Sequence, residues 1–141
     1  MNKLLIFLLL CTLIQAKYIK DTTNEIILDT TTRLMWQDTD NTQMVGFISA
    51  ISYCEDLELG SYSDWHLPNI NQLLSIVDLK QVPTINQTFQ YTNSSYYWSG
   101  TSVSNDISYI WTVSFDDGNS DTSHGRKDYS NYVRCVRLSD M

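Results

Sequence analysis

Gly60-Ser61-Tyr62-Ser63-Asp64-Trp65-His66-Leu67-Pro68-Asn69 is a stretch without apolar period, set between two segments that each have one. Gly60 stops a helix, Asn69 starts the next, and Trp65 and Leu67 anchor the loop between them. Upstream, Met44, Phe47, Ile48, Ile51, Cys54 and Leu57 recur at helical spacing, which predicts a first helix with Cys54 on its buried face. Downstream, Asn69 and Gln72 have the spacing of an N-cap with its reciprocal partner, and Ile70, Leu73, Leu74 and Val77 share one face of a second helix. Further out the period changes to that of strands. Glu25 to Leu28 and Arg33 to Gln37 flank the turn formers Asp29 to Thr32, as in a hairpin. Tyr96 to Ser99, Tyr109 to Phe115 and Tyr132 to Leu138 are rich in aromatic and β-branched residues, with Trp111, Val113 and Phe115 on one face and Val133 and Cys135 on another. Val82 to Ser95 has no period and reads as a long loop packed by Ile85, Phe89 and Tyr91. Two helices between short strands make the expected class α+β.

Of the 141 residues, 43% are hydrophobic and 12% aromatic, enough apolar surface to offset the entropy of ordering, so a globular domain is expected. The amino terminus reads as an export signal. Lys3 is followed by an apolar run from Leu4 to Cys11, extended by Leu13 and Ile14 and closed by Ala16, a small residue suited to cleavage. That run falls short of the roughly 18 to 20 residues that span a bilayer, and Leu9 and Leu10 are too bulky for a lipidation signal at Cys11. No later stretch reaches spanning length. The expectation is a signal peptide at residues 1–16, a single domain at residues 17–141, and a secreted or periplasmic location. Residues 1–16 carry one Lys and no acid, so the net charge of the remainder is 8 minus 16, or −8. This opposes nucleic-acid binding, which needs clustered cations. Arg126 with Lys127, and Arg134 with Arg137, read as scattered solvated charges.

With Cys11 removed, Cys54 and Cys135 remain, an even count in an exported chain. They are expected to pair, since there is no C-x-x-C and neither His66 nor His124 lies at metal-motif spacing from a cysteine. Closing a loop of this size is worth roughly 4 to 5 kcal/mol in the chain-entropy model.

Binding candidates are of two kinds. Asp116-Asp117-Gly118-Asn119-Ser120-Asp121 concentrates oxygen ligands near one turn, which could suit a hard cation such as calcium; a solvated hairpin turn explains the same residues more simply. Asp38, Asp40 and Asn41 read as a turn leading into a helix N-terminus, where carboxylates complement the dipole. The other kind is aromatic: Tyr91, Tyr96, Tyr97, Trp98 and Tyr109 lie near Ser, Thr and Asn residues that can hydrogen-bond a sugar. Trp36, Trp65, Trp98 and Trp111 are better read as core. Alternation sets Tyr97 apart from Tyr96 and Trp98, and the candidate ligand-binding set is Asp116, Asp117, Asn119 and Asp121 with Tyr97. No catalytic constellation stands out, because His66 beside Asp64 lacks a nucleophile. No cofactor other than the calcium considered above is implied.

Leu34-Met35-Trp36-Gln37, Tyr53-Cys54, the run from Gly60 to Asn69, Tyr97-Trp98-Ser99 and Tyr132-Val133-Arg134-Cys135-Val136-Arg137, in this order, resemble the Lcl C-terminal domain family, named for the globular end of a bacterial collagen-like adhesin. The resemblance covers roughly Ile26 to Leu138 and implies a C-type-lectin-like fold in an exported bacterial protein with Cys54 and Cys135 paired. The family commonly has Arg where this chain has His66. The resemblance also implies binding of sulfated glycans through basic residues, which the −8 charge opposes. The function expected is a non-catalytic binding module that recognises a glycan or surface component through its loops. The alternative is a structural or accessory protein of the cell envelope that holds a partner protein.

Overall fold

The computed structural model describes residues 17–41 and 43–140, and the signal peptide expected at residues 1–16 lies outside the described residues. In chain order the elements are strands β1 (Tyr18–Asp21), β2 (Ile26–Asp29) and β3 (Leu34–Gln37), helices α1 (Phe47–Glu55) and α2 (Ile70–Leu74), and strands β4 (Tyr96–Val103), β5 (Asp106–Ser114), β6 (Ser120–Asp121) and β7 (Val136–Leu138). One sheet has the order β1-β2-β3-β7 and the other β4-β5-β6, both antiparallel throughout. Two helices with two small antiparallel sheets make a mixed α+β domain, as the change of period predicts.

The expected hairpin is β2–β3. Buried Asp29 closes its turn by accepting hydrogen bonds from the N–H groups of Thr31 (2.9 Å) and Thr32 (3.3 Å), with Arg33 in the left-handed region. β1 escapes sequence reading because it is short and half exposed; it gains its place by pairing Ile19 with Leu28. In α2 the anticipated capping box is complete: Asn69 Oδ1 accepts from Gln72 N (2.8 Å) and Gln72 Oε1 accepts from Asn69 N (2.9 Å). Helix α1 is shorter than the apolar pattern. Its buried stripe is Phe47, Ala50 and Cys54, while Ile48 is 68% exposed. Residues 47, 50 and 54 and residues 48 and 51 both satisfy helical spacing, and the bond from Cys54 to the carboxyl-terminal segment selects the first stripe.

The strands divide their side chains between two cores. Ile27, Trp36, Leu73, Ile76, Phe89, Tyr97, Val113, Phe115 and Val136 fill one; Ile26, Phe47, Cys54, Trp65, Trp98, Ile110, Val133 and Cys135 fill the other. Successive residues of a strand point to opposite faces, so the neighbours Ile26 and Ile27, Tyr97 and Trp98, and Cys135 and Val136 each send one side chain either way. Trp36, Trp65 and Trp98 are fully buried, each worth on the order of 2–3 kcal/mol in transfer free energy. Trp111, read from the sequence as core, is only partly buried.

Cys54 and Cys135 are disulfide-bonded, with Cα atoms 5.4 Å apart and both residues wholly buried. The bridge ties α1 to the segment preceding β7. That last strand starts at Val136 rather than Tyr132 because the Gln37 side chain takes the place of a ladder partner at Cys135. Cys135 N donates to Gln37 Oε1 (3.0 Å), while Cys135 O accepts from Gln37 N (3.1 Å). Further along, Gly125 packs directly on β5, where a Cβ would stand 1.7 Å from the Ile110 carbonyl oxygen. Only glycine permits that approach.

Candidate functional site

Between α2 and β4 the chain runs through residues 75–95 without a regular element, and one isolated antiparallel bridge, Val77 to Ile85, is its only ladder contact within that span. A loop longer than about 12–15 residues is uncommon in a compact domain and is usually functional or disordered. This one is fixed in place. Its first half is bound to the end of β5, where Thr84 N donates to Phe115 O (2.8 Å), and its last residue, Ser95, accepts from Phe115 N (2.9 Å). Leu79 lies over Gly118 so closely that a Cβ there would meet Leu79 Cδ2 at 2.5 Å, and the positive φ of +78° suits glycine as well. The long loop and the turn at residues 116–121 are therefore neighbours.

The second half of the loop is held by Asp38. Its side chain is wholly buried, and its two oxygens accept from Gln90 N (3.1 and 3.0 Å), Tyr91 N (3.1 Å) and the Lys20 ammonium (3.0 Å). Arg134 faces the same carboxylate at 3.3 Å. It also donates to Gln37 O (2.5 Å), to Thr92 Oγ1 (2.9 Å) and to the Tyr91 carbonyl, and its guanidinium lies 4.9 Å from the Phe89 ring centre. The pair thus satisfies the backbone of an irregular segment that has no strand to pair with. The readings of Asp38 as part of a helix N-terminus and of Arg134 as a solvated charge are corrected. The helix starts only at Phe47, and Arg134 is 4% exposed.

The candidate turn is arranged differently. Asp116, Asp117 and Asn119 are exposed or partly so, and Asp121 is half-buried. Asp117 accepts from Asn119 N (3.1 Å) and Asn119 Nδ2 (3.0 Å), which holds its carboxyl below the ordinary range. Burial pushes Asp121 up, but hydrogen bonds from the Ser123 side chain and N–H and from His124 outweigh it, and the net direction is down. Both carboxylates are engaged by their own turn, and among the described residues no three His, Cys, Asp or Glu side chains are placed to hold a metal ion. The arrangement does not fit a calcium cage built from protein side chains. Tyr96 stacks on His124 with ring centres 3.7 Å apart, and its hydroxyl is pushed up by burial and then by Asp121, Asp117 and Asp116.

Tyr97, the aromatic candidate, is in the core. It is 2% exposed, stacks on Tyr132 at 5.5 Å, meets Phe115 edge-on at 5.0 Å, and its hydroxyl accepts from Asn93 N (2.9 Å). Strand β4 lies between the two cores, so alternation buries Tyr97 and Trp98 alike; of this run only Tyr96 keeps partial exposure.

Asp64 belongs to Arg137 rather than to His66. Arg137 Nε and Nη2 grip the Asp64 carboxylate at 2.6 and 3.1 Å, with the guanidinium 3.8 Å from the Tyr62 ring centre. The hydrogen bond from Arg137 holds the Asp64 carboxyl low against the opposing effect of burial, and Arg137 is raised in turn. Arg137 is 3% exposed, so it too leaves the set of surface charges. Arg126 and Lys127 stay at the surface, the first paired with Asp128 at 2.7 Å, the second over the Phe47 ring at 5.4 Å.

Asp38 and Arg134 are the residues that sequence reasoning missed. A signal existed: Arg134 interrupts Val133-Arg134-Cys135-Val136, and a cation set among core residues calls for a buried partner. Among the described residues no helix is long and apolar enough to cross a membrane. A search of characterised proteins finds no significant relative. The family model of the Lcl C-terminal domain matches residues 25–137, which take in both helices, the disulfide and every strand but β1, and the chain belongs to that family.

Proposed function

We propose that the chain is an exported, non-catalytic binding domain of C-type-lectin-like fold, and that a glycan or other surface component meets it at the loop of residues 75–95 and the adjoining turn of Asp116, Asp117, Asn119 and Asp121. The observation that carries this reading is the anchoring of that loop by buried Asp38 and Arg134. Ordering an irregular segment costs about 1–2 kcal/mol of backbone entropy per residue, and a loop that has already lost this freedom binds without losing it again. Loops held rigidly on a scaffold are where binding residues concentrate. Membership of the family and the disulfide, which persists in oxidising compartments, support export and a role at a surface.

The test is a glycan array probed with the full chain recovered from the exported fraction, with and without calcium. Binding that is retained without calcium is expected, since the carboxylates of the turn are engaged by their own loop. A signal that needs calcium and is lost in Asp116→Ala with Asp121→Ala would replace this reading with a metal-assisted lectin. Absence of any glycan signal would overturn the glycan reading.

A further inference from the structure

The outer side of the same long loop encloses a pocket of about 240 Å³ lined by residues 81–83, 85–87, 89, 90 and 92. In a chain whose acids outnumber its bases by 16 to 9, this lining has no charged side chain. Its polar groups are mainly carboxamides. Gln81, Asn86, Gln87 and Gln90 stand around it, with Val82, Pro83, Ile85 and Phe89 as apolar lining. Among the described residues the Gln81 and Gln87 side chains make no hydrogen bond. Asn86 uses only its oxygen, accepting from Thr88 N (2.9 Å), and Gln90 uses only its oxygen, accepting from Lys20 (3.1 Å). Four residues with free amide groups thus line one concavity. Each carboxamide offers two donors, and those of Gln81 and Gln87 offer acceptor oxygens too.

From this arrangement we infer that the pocket is a subsite for a neutral saccharide. Hydroxyl groups both donate and accept, and a ring of carboxamides answers both without a counter-charge. The volume lies below the roughly 300–1,000 Å³ of pockets that take drug-sized ligands, a size for one sugar ring. An anionic ligand would find no cation in the lining itself, and the two that stand behind it, Lys20 and Arg134, are already paired with Asp38. The walls are set in advance, because Asp38 holds the N–H groups of Gln90 and Tyr91 and Arg134 holds Thr92 and covers Phe89. The inference deepens the binding-domain reading and rests on it, but it names a different part of the loop surface from the acidic turn.

The experiment uses an array of neutral and sulfated oligosaccharides, with affinities for the strongest hits measured for the full exported chain and for Gln81→Ala, Gln87→Ala and Asn105→Ala. The Gln81 and Gln87 side chains lie outside the core and make no hydrogen bond among the described residues, so their variants remain folded, which circular dichroism checks. Hits among neutral glycans are expected, weakened about tenfold by each glutamine substitution, the scale of one hydrogen bond to a bound ligand. Asn105→Ala, in the turn between β4 and β5, leaves affinity unchanged. In an amide NMR titration with the best hit, shifts centre on residues 81–92. Glycan binding that ignores both glutamine substitutions, or hits confined to sulfated glycans, overturns the subsite and leaves the binding-domain reading standing. No glycan binding, or binding of uncharged peptides instead, overturns the subsite and the glycan reading together.

Discussion

Asp38 and the turn of Asp116, Asp117 and Asp121 look alike in the sequence, since each is a cluster of acids and amides beside an apolar strand. In the fold they are opposites. The turn is exposed and satisfies itself within a few residues, Asp117 with Asn119 and Asp121 with Ser123. Asp38 is buried and has its partners at sequence distances of 18, 52, 53 and 96 residues. Local chemistry is enough to build the turn. The Asp38 cluster exists only once both ends of the chain and the long loop have met. A carboxylate whose neighbours can satisfy it stays at the surface, and one placed against a buried cation becomes a joint of the tertiary structure.

That contrast can be broken experimentally. Asp38→Ala leaves the Arg134 cation buried without its counter-charge and frees two N–H groups of the loop, so a loss of about 3–5 kcal/mol is expected from denaturant unfolding. A loss under about 1 kcal/mol would mean that the cluster is solvated. Removing the disulfide as Cys54→Ala with Cys135→Ala should cost about 2–5 kcal/mol, because it releases a long loop in the unfolded chain and opens a cavity beside Gln37. If the loop depends on Asp38 first and on the bridge only second, hydrogen exchange at Gln90 and Tyr91 will rise more in the first variant than in the second.

Acid sharpens the comparison. Asp64, Asp117 and Asp121 are held below their ordinary range in the folded state, so each contributes stability that is present above the unfolded value of about 3.9 and is lost as pH falls through the lower folded value. Urea midpoints should therefore be level between pH 7 and 5 as far as these groups decide, and fall below about pH 4. The smallest effect belongs to the turn. Asp117→Ala removes only exposed local bonds and should change stability by less than about 0.5 kcal/mol in the same urea titration.

The parts legible in the sequence were those set by neighbours. The hairpin turn at Asp29, the capping box of Asn69 and Gln72, and the alternation of Tyr97 and Trp98 all follow from residues within four positions of one another. The pairing of Cys54 with Cys135 followed from compartment and count. What escaped depends on distant segments: the phase of α1, the burial of both faces of β4, and the partners of Arg134 and Arg137. Tyr97 shows why, since strand alternation assigns faces but not which of them is covered. Only the second core, on the far side of β4, decides that both are.

Asp38 takes hold of the loop through the N–H groups of Gln90 and Tyr91, a part of the chain that every residue except proline possesses. Its grip is indifferent to the letters written at those positions. The rim of the pocket can thus be rewritten, at Gln81 and Gln87 above all, without disturbing its attachment, so that one framework can hold rims of different chemistry.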